Sequence, residues 1–138
     1  MGLERAFLWF AELVMLAALL CFVQGFRVRE SDRALHMRLG KLGALLVFAG
    51  LVAVEVLQRG LHWQFPIRSP ELLRVHILVA SGALLVLVVL VATGLSLRGG
   101  GPTVARTRRR ALHVKLYLLF FPLYVATIVL SFCAFRLW

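Results

Sequence analysis

Residues 72–97 read LLRVHILVASGALLVLVVLVATGLSL, and from Ile77 to Leu97 they carry no charged side chain. A bilayer core is roughly 30 Å thick and asks for about 20 apolar residues in a helix, so this stretch predicts a membrane span over Leu72 to Leu97. Three further stretches approach the same requirement: Ala6 to Phe26, about His36 to Leu57, and Leu112 to Phe135. The second is the thinnest. Its uninterrupted apolar run covers only Leu42 to Val54, so it must recruit Leu39 and let Arg38 and Lys41 snorkel toward the headgroups. Across 138 residues the chain is 62% hydrophobic, with mean hydropathy +0.92, too much apolar surface for a water-soluble globule. The expectation is an all-α integral membrane four-helix bundle, a single membrane domain over residues 1–138. An even number of spans puts both termini on one side.

The first span competes with a cleaved signal peptide, whose apolar region is about 7–15 residues long and ends in small residues. Here the run is longer and ends in Gln24-Gly25-Phe26-Arg27, which reads as a retained helix. Met1-Gly2-Leu3-Glu4-Arg5-Ala6 lacks the Ser or Thr of an N-myristoylation signal, so no lipid anchor is expected.

The net charge is +10, and its placement matters more than its size. Arg27, Arg29, Arg33, Arg38 and Lys41 crowd the first connection; Arg98, Arg106, Arg108, Arg109, Arg110 and Lys115 crowd the third. The second connection has Arg59, Arg68 and Arg74, and the ends carry Arg5 and Arg136. Eleven basic residues against five place the first and third connections in the cytoplasm and both termini outside. Arg106 to Arg110 could bind RNA, but beside a span it reads as a topogenic or anionic-lipid segment, and no nucleic-acid fold accompanies it. Gly99-Gly100-Gly101-Pro102 ends the third span, and the polar stretch to Arg110 is expected as a flexible loop. Leu61 to Ile67 mixes aromatics with a proline, as an interfacial segment does.

Ionisable residues within spans are costly and therefore candidates for function. Glu12, Glu55, His62 and His76 all belong to the predicted outer side; His36 and His113 open the second and fourth spans on the inner side. In the fourth span His113, Tyr117, Phe120, Tyr124, Thr127 and Ser131 step by fours and threes, a polar stripe expected to face the interior. In the second, His36, Gly40, Gly43, Val47, Gly50 and Val54 form a stripe that lets a helix or a flat cofactor approach closely. His76 is followed on its face by Ala80 and Ala83. Glu55 and His62, seven apart, share a face only if the helix continues past Gly60.

Two site readings follow. His36 and His113 form an axial pair for a b-type haem, or they are interfacial histidines meeting lipid phosphate and water. His76, His62, Glu55 and Glu12 converge as a metal site or proton-carrying cluster, or as carboxylate and imidazole pairs that fix helix register. Cys21 and Cys133 fall in opposite leaflets and cannot pair, and no Cys-x-x-Cys is present. Hydrolase, metalloprotease and phosphate-loop motifs are absent. Ser81, Thr93 and Ser131 are expected to have no histidine at their own depth, Ser81 near His76 excepted, so the chain reads as non-enzymatic.

Three segments carry a likeness to a known family. His36-Met37-Arg38 sets a histidine before a basic residue at the start of a span; Val75-His76-Ile77-Leu78-Val79-Ala80 pairs a histidine with small residues; Arg109-Arg110-Ala111-Leu112-His113 precedes Pro122-Leu123-Tyr124. Over roughly residues 30–138 this resembles the small bacterial membrane proteins of the domain of unknown function 420 family, some of which take part in maturation of haem–copper terminal oxidases. The chain departs from that pattern where Arg59 and His62 are separated by two residues instead of adjacent, and where Tyr124 replaces a tryptophan after the proline. The resemblance implies an assembly factor for a respiratory oxidase, partnered by membrane lipids and a larger respiratory complex. It also implies histidines that handle haem or copper, with His36 and His113 first and His62 and His76 as further candidates. A b-type haem electron-transfer protein and a cofactor-free structural accessory subunit are the alternatives.

Overall fold

The computed structural model describes residues 2–60, 62, 67, 69–97 and 103–136, without the side chains of residues 2, 4, 5, 58, 103 and 136. The expected glycine-proline breaker at 99–102 and most of the aromatic loop after Gly60 lie outside the described residues. The protein is all-α: α1 (Gly2–Arg27), α2 (Arg33–Glu55), α3 (Pro70–Ser96) and α4 (Thr103–Arg136), with one wider π-helical turn, Val56–Gly60, continuing α2. All four helices are long and apolar enough to cross a membrane. In hydrocarbon every backbone N–H and C=O must be satisfied within its own segment, and only helix does that for a lone apolar run.

Local chemistry sets the boundaries. Asp32 caps α2 by accepting from the Leu35 N–H at 2.8 Å. Ser69 caps α3 by accepting from Leu72 N–H at 3.3 Å, and Pro70 follows at the first helical position, where its missing N–H costs nothing. Two expectations need correction. α4 begins at Thr103, so Val104 to Arg110 is helical and not loop; the segment Val-Ala-Arg-Thr-Arg-Arg-Arg-Ala contains no breaker, and Ala and Arg are strong helix formers. Regular α-helix in α2 stops at Glu55, two residues before the expected end, where hydrogen bonding widens into the π turn.

The helices form two compact units, the first built on α1 and α2, the second, Ser69–Ala134, on α3 and α4. In the first, Val14 lies by Gly50, Phe22 by Gly43 and Gly25 by Leu39, so the two helices run antiparallel. A Cβ on Gly43 would stand 2.8 Å from the Phe22 ring. The glycine is the hole, and Phe22, 5% exposed, is the knob. Ala18, Ala44 and Val47 are buried on the same seam.

In the second unit, His76 and Gly94 of α3 meet α4, and on the stripe between them, which repeats every seven residues, Ala83, Leu87 and Leu90 are buried. Its partner is the stripe expected from sequence: Phe120, Tyr124 and Thr127 are buried, His113, Tyr117 and Ser131 half-buried. Phe120 and Tyr124 stack at 5.2 Å between ring centres. Large side chains off these seams are exposed, among them Leu13, Leu20, Leu45, Leu78 and Leu85, which lipid would cover. Pro122 sits on the exposed side of α4. A proline there leaves the carbonyl one turn earlier without its helical donor, which membrane helices tolerate.

Candidate functional site

Three histidines are fixed by bonds that cross between helices, and each bond uses the same ring nitrogen. His36 Nδ1 lies 2.8 Å from the Gly25 carbonyl oxygen, closing the α1–α2 hairpin. His76 Nδ1 lies 3.1 Å from the Thr127 carbonyl oxygen of α4. A carbonyl only accepts, so in both rings Nδ1 carries the proton, and in the neutral imidazole the lone pair belongs to Nε2. His113 Nδ1 lies 3.2 Å from the Thr93 hydroxyl. That hydroxyl donates to the Leu90 carbonyl at 2.9 Å, so it accepts from His113 and selects the same tautomer.

Gly94 makes room for the third ring. A Cβ there would stand 3.1 Å from His113 Cε1, so a side chain at this position would crowd the imidazole. Ser96 donates to the Thr93 carbonyl at 2.8 Å and tightens the last turn of α3 beside the ring. Thr127 donates its hydroxyl to the Leu123 carbonyl at 2.9 Å, a buried polar group satisfied along its own helix.

Thr93 was expected to have no histidine at its depth, and the structure corrects this. α4 runs antiparallel to α3, which brings His113 level with Thr93 and Gly94 near the end of α3. A neighbouring threonine and glycine near the end of one span, ahead of a histidine near the start of the next, was the available signal. The pair is not arranged for nucleophilic chemistry, because the hydroxyl proton goes to Leu90 and not to the imidazole.

The remaining candidates are dispersed in character. Glu55, at the end of α2, pairs with Arg59 at 2.6 Å. His62 lies beyond the π turn, exposed, with φ 52, so it does not continue the helical face of Glu55. Glu12 is half-buried in α1 and His76 half-buried in α3. Among the described residues no three His, Cys, Asp or Glu side chains gather closely enough to hold a metal ion. Cys21 and Cys133 are both free thiols.

The three histidines stand as single imidazole donors, and the described residues do not gather into a four-residue metal cage. A ligating imidazole that gives its other N–H to a carbonyl or hydroxyl is held in one tautomer and one orientation, which is how metal-binding histidines are supported. Compared with protein-family models, curated proteins and solved structures, the chain has no match.

Proposed function

We propose that this chain is a non-enzymatic accessory factor of a bacterial inner membrane that serves the biogenesis of a respiratory haem–copper oxidase, offering histidine nitrogen to haem or copper. The observation that carries the reading is the common tautomer of His36, His76 and His113, each selected by an interhelical bond from Nδ1. The likeness of the histidine segments to oxidase-maturation proteins supplies the process. His36 in the first unit and His113 in the second are each a candidate to offer Nε2 to haem, with His76 as a further ligand. When bound, haem brings the redox-active iron, and the chain's own residues contribute the axial nitrogen and its orientation. In this reading the first and third connections face the cytoplasm and both termini face outward, following the basic residues.

A second reading has its own support. The bonds that orient the imidazoles also fasten the hairpins, and the glycine at 43 is filled by Phe22, a helix and not a cofactor. On this view the chain is a structural subunit of a larger membrane complex and its histidines are fasteners.

Visible spectra of the oxidised and reduced protein in mild detergent, with iron and copper analysis, separate the two. The proposal expects a stoichiometric low-spin haem spectrum lost in His36→Ala or His113→Ala, or bound copper lost in the same variants. Absence of any cofactor under several expression conditions, together with histidine variants that are less stable, establishes the structural reading instead.

A further inference from the structure

The second unit contains one carboxylate. Glu71, in the first turn of α3, is the last acidic residue of the whole chain, while Arg106, Arg108, Arg109, Arg110 and Lys115 all lie near the start of α4. Among the described residues the ion pairs are Arg29 with Glu30 and Arg59 with Glu55, so these five cations have none. All five are exposed. Because this segment is helix, its side chains take fixed faces. Arg106, Arg109 and Arg110 fall on the face that continues through His113, and Arg108 and Lys115 fall on the opposite side.

The partner helix runs out where this face turns basic. Gly94 lies against His113, and α3 ends at Ser96. Arg109 and Arg110 stand roughly 5 Å before His113 along α4, and Arg106 roughly 10 Å. The apolar part of α4 starts at Leu112, and a headgroup layer is about 5–7 Å deep on each side of the core, so the long guanidinium side chains reach phosphate depth. Arginine binds phosphate through two parallel N–H donors.

We infer that Arg106, Arg109 and Arg110 form a docking face for the headgroup of an anionic phospholipid. Glu71 lies at the far end of α3 from these arginines, and phosphate is the anion of the lipid headgroup layer. The helical geometry makes the claim specific: three arginines bind, and two cations of the same connection do not. This holds whether or not the histidines carry a cofactor.

Native mass spectrometry and thermal unfolding of the full chain in mild detergent test it, with dioleoylphosphatidylglycerol, dioleoylphosphatidylcholine or inorganic phosphate added. The expected result is retention of phosphatidylglycerol and a raised melting temperature with that lipid alone. R106Q/R109Q/R110Q should weaken retention on the order of a hundredfold, about fivefold per arginine, while R108Q/K115Q keeps it within a few fold. Equal stabilisation by inorganic phosphate, an unchanged triple variant, or an R108Q/K115Q variant that loses as much would overturn the inference. Should the triple glutamine variant fail to insert, R106K/R109K/R110K keeps the charge and must still retain the lipid less well than the native chain; equal retention overturns the arginine-specific face.

Discussion

Both hairpins of this protein are tied by a histidine of their second helix, but they offer it different acceptors. His36 bonds the main-chain carbonyl of Gly25, while His113 bonds the side-chain hydroxyl of Thr93. A carbonyl persists through most substitutions at its residue; a hydroxyl is removed by one. The seams differ in the same sense. α1 and α2 meet through an aromatic knob in a glycine hole, and α3 and α4 through two interleaved seven-residue stripes of alanine, leucine and aromatic side chains. The first hairpin thus depends on shape and the second on a broader surface with one replaceable polar tie.

The sharpest way to break the comparison is at the hole. Gly43→Leu puts a side chain where even a Cβ stands 2.8 Å from Phe22, and Phe22 is too buried to swing clear. Overpacking of this kind costs about 1–3 kcal/mol. Gly40→Leu, one turn earlier on the same stripe, meets nothing within 4 Å and should cost far less. Reversible unfolding in mixed detergent micelles reads both, and Phe22→Ala in the Gly43→Leu background should recover part of the loss. Equal effects at the two glycines would mean that α1 does not pack as described.

Next in size is the acceptor itself. Thr93→Val keeps the shape but removes the oxygen, leaving the His113 N–H without that partner; interhelical hydrogen bonds in membranes average about 0.6 kcal/mol and reach about 1.7. Thr93→Ser should restore most of it. The matched change in the other hairpin, Gly25→Ala, leaves its carbonyl in place and brings a Cβ only to 3.4 Å from Leu39 Cβ, so His36 should stay bonded. The ring-nitrogen NMR shifts of the two histidines report the difference directly: His113 should change in Thr93→Val, while His36 should hold in Gly25→Ala.

How far this was legible in the sequence follows from the same residues. Apolar length alone gave four helices, because in lipid length and composition nearly determine secondary structure. The α4 stripe was also readable, since a 3.6-residue period needs no knowledge of the partner, and Phe120, Tyr124 and Thr127 are indeed its buried centre. The helical start at Thr103 is not marked by hydropathy, because arginine lowers membrane affinity without lowering helix propensity. The Thr93–His113 bond depends on the register between two helices, which the pattern of neither helix alone contains. The partners of His36 and His76 are backbone carbonyls, and every residue has one, so no pattern of side chains could mark them.

The smallest expected effect lies at the end of α2, where Glu55 meets Arg59 one turn on at 2.6 Å. Both side chains are well exposed, 47% and 82%, so water screens the pair and long side chains must be ordered to form it. An exposed pair of this kind is worth about 0–1 kcal/mol. Glu55→Gln should therefore shift unfolding by less than about 0.5 kcal/mol, and Arg59→Gln by a similar amount, with the double variant no worse than either. That outcome leaves Glu55 as the partner of Arg59 and nothing more. A larger loss in Glu55→Gln than in Arg59→Gln, together with stabilisation of the native chain but not of Glu55→Gln by an added divalent cation, would instead give Glu55 a ligand role and revive the metal reading for this end of the helix. The pair thus tests whether the ends of the first hairpin matter less than its seam, as the Phe22 and Gly43 geometry implies.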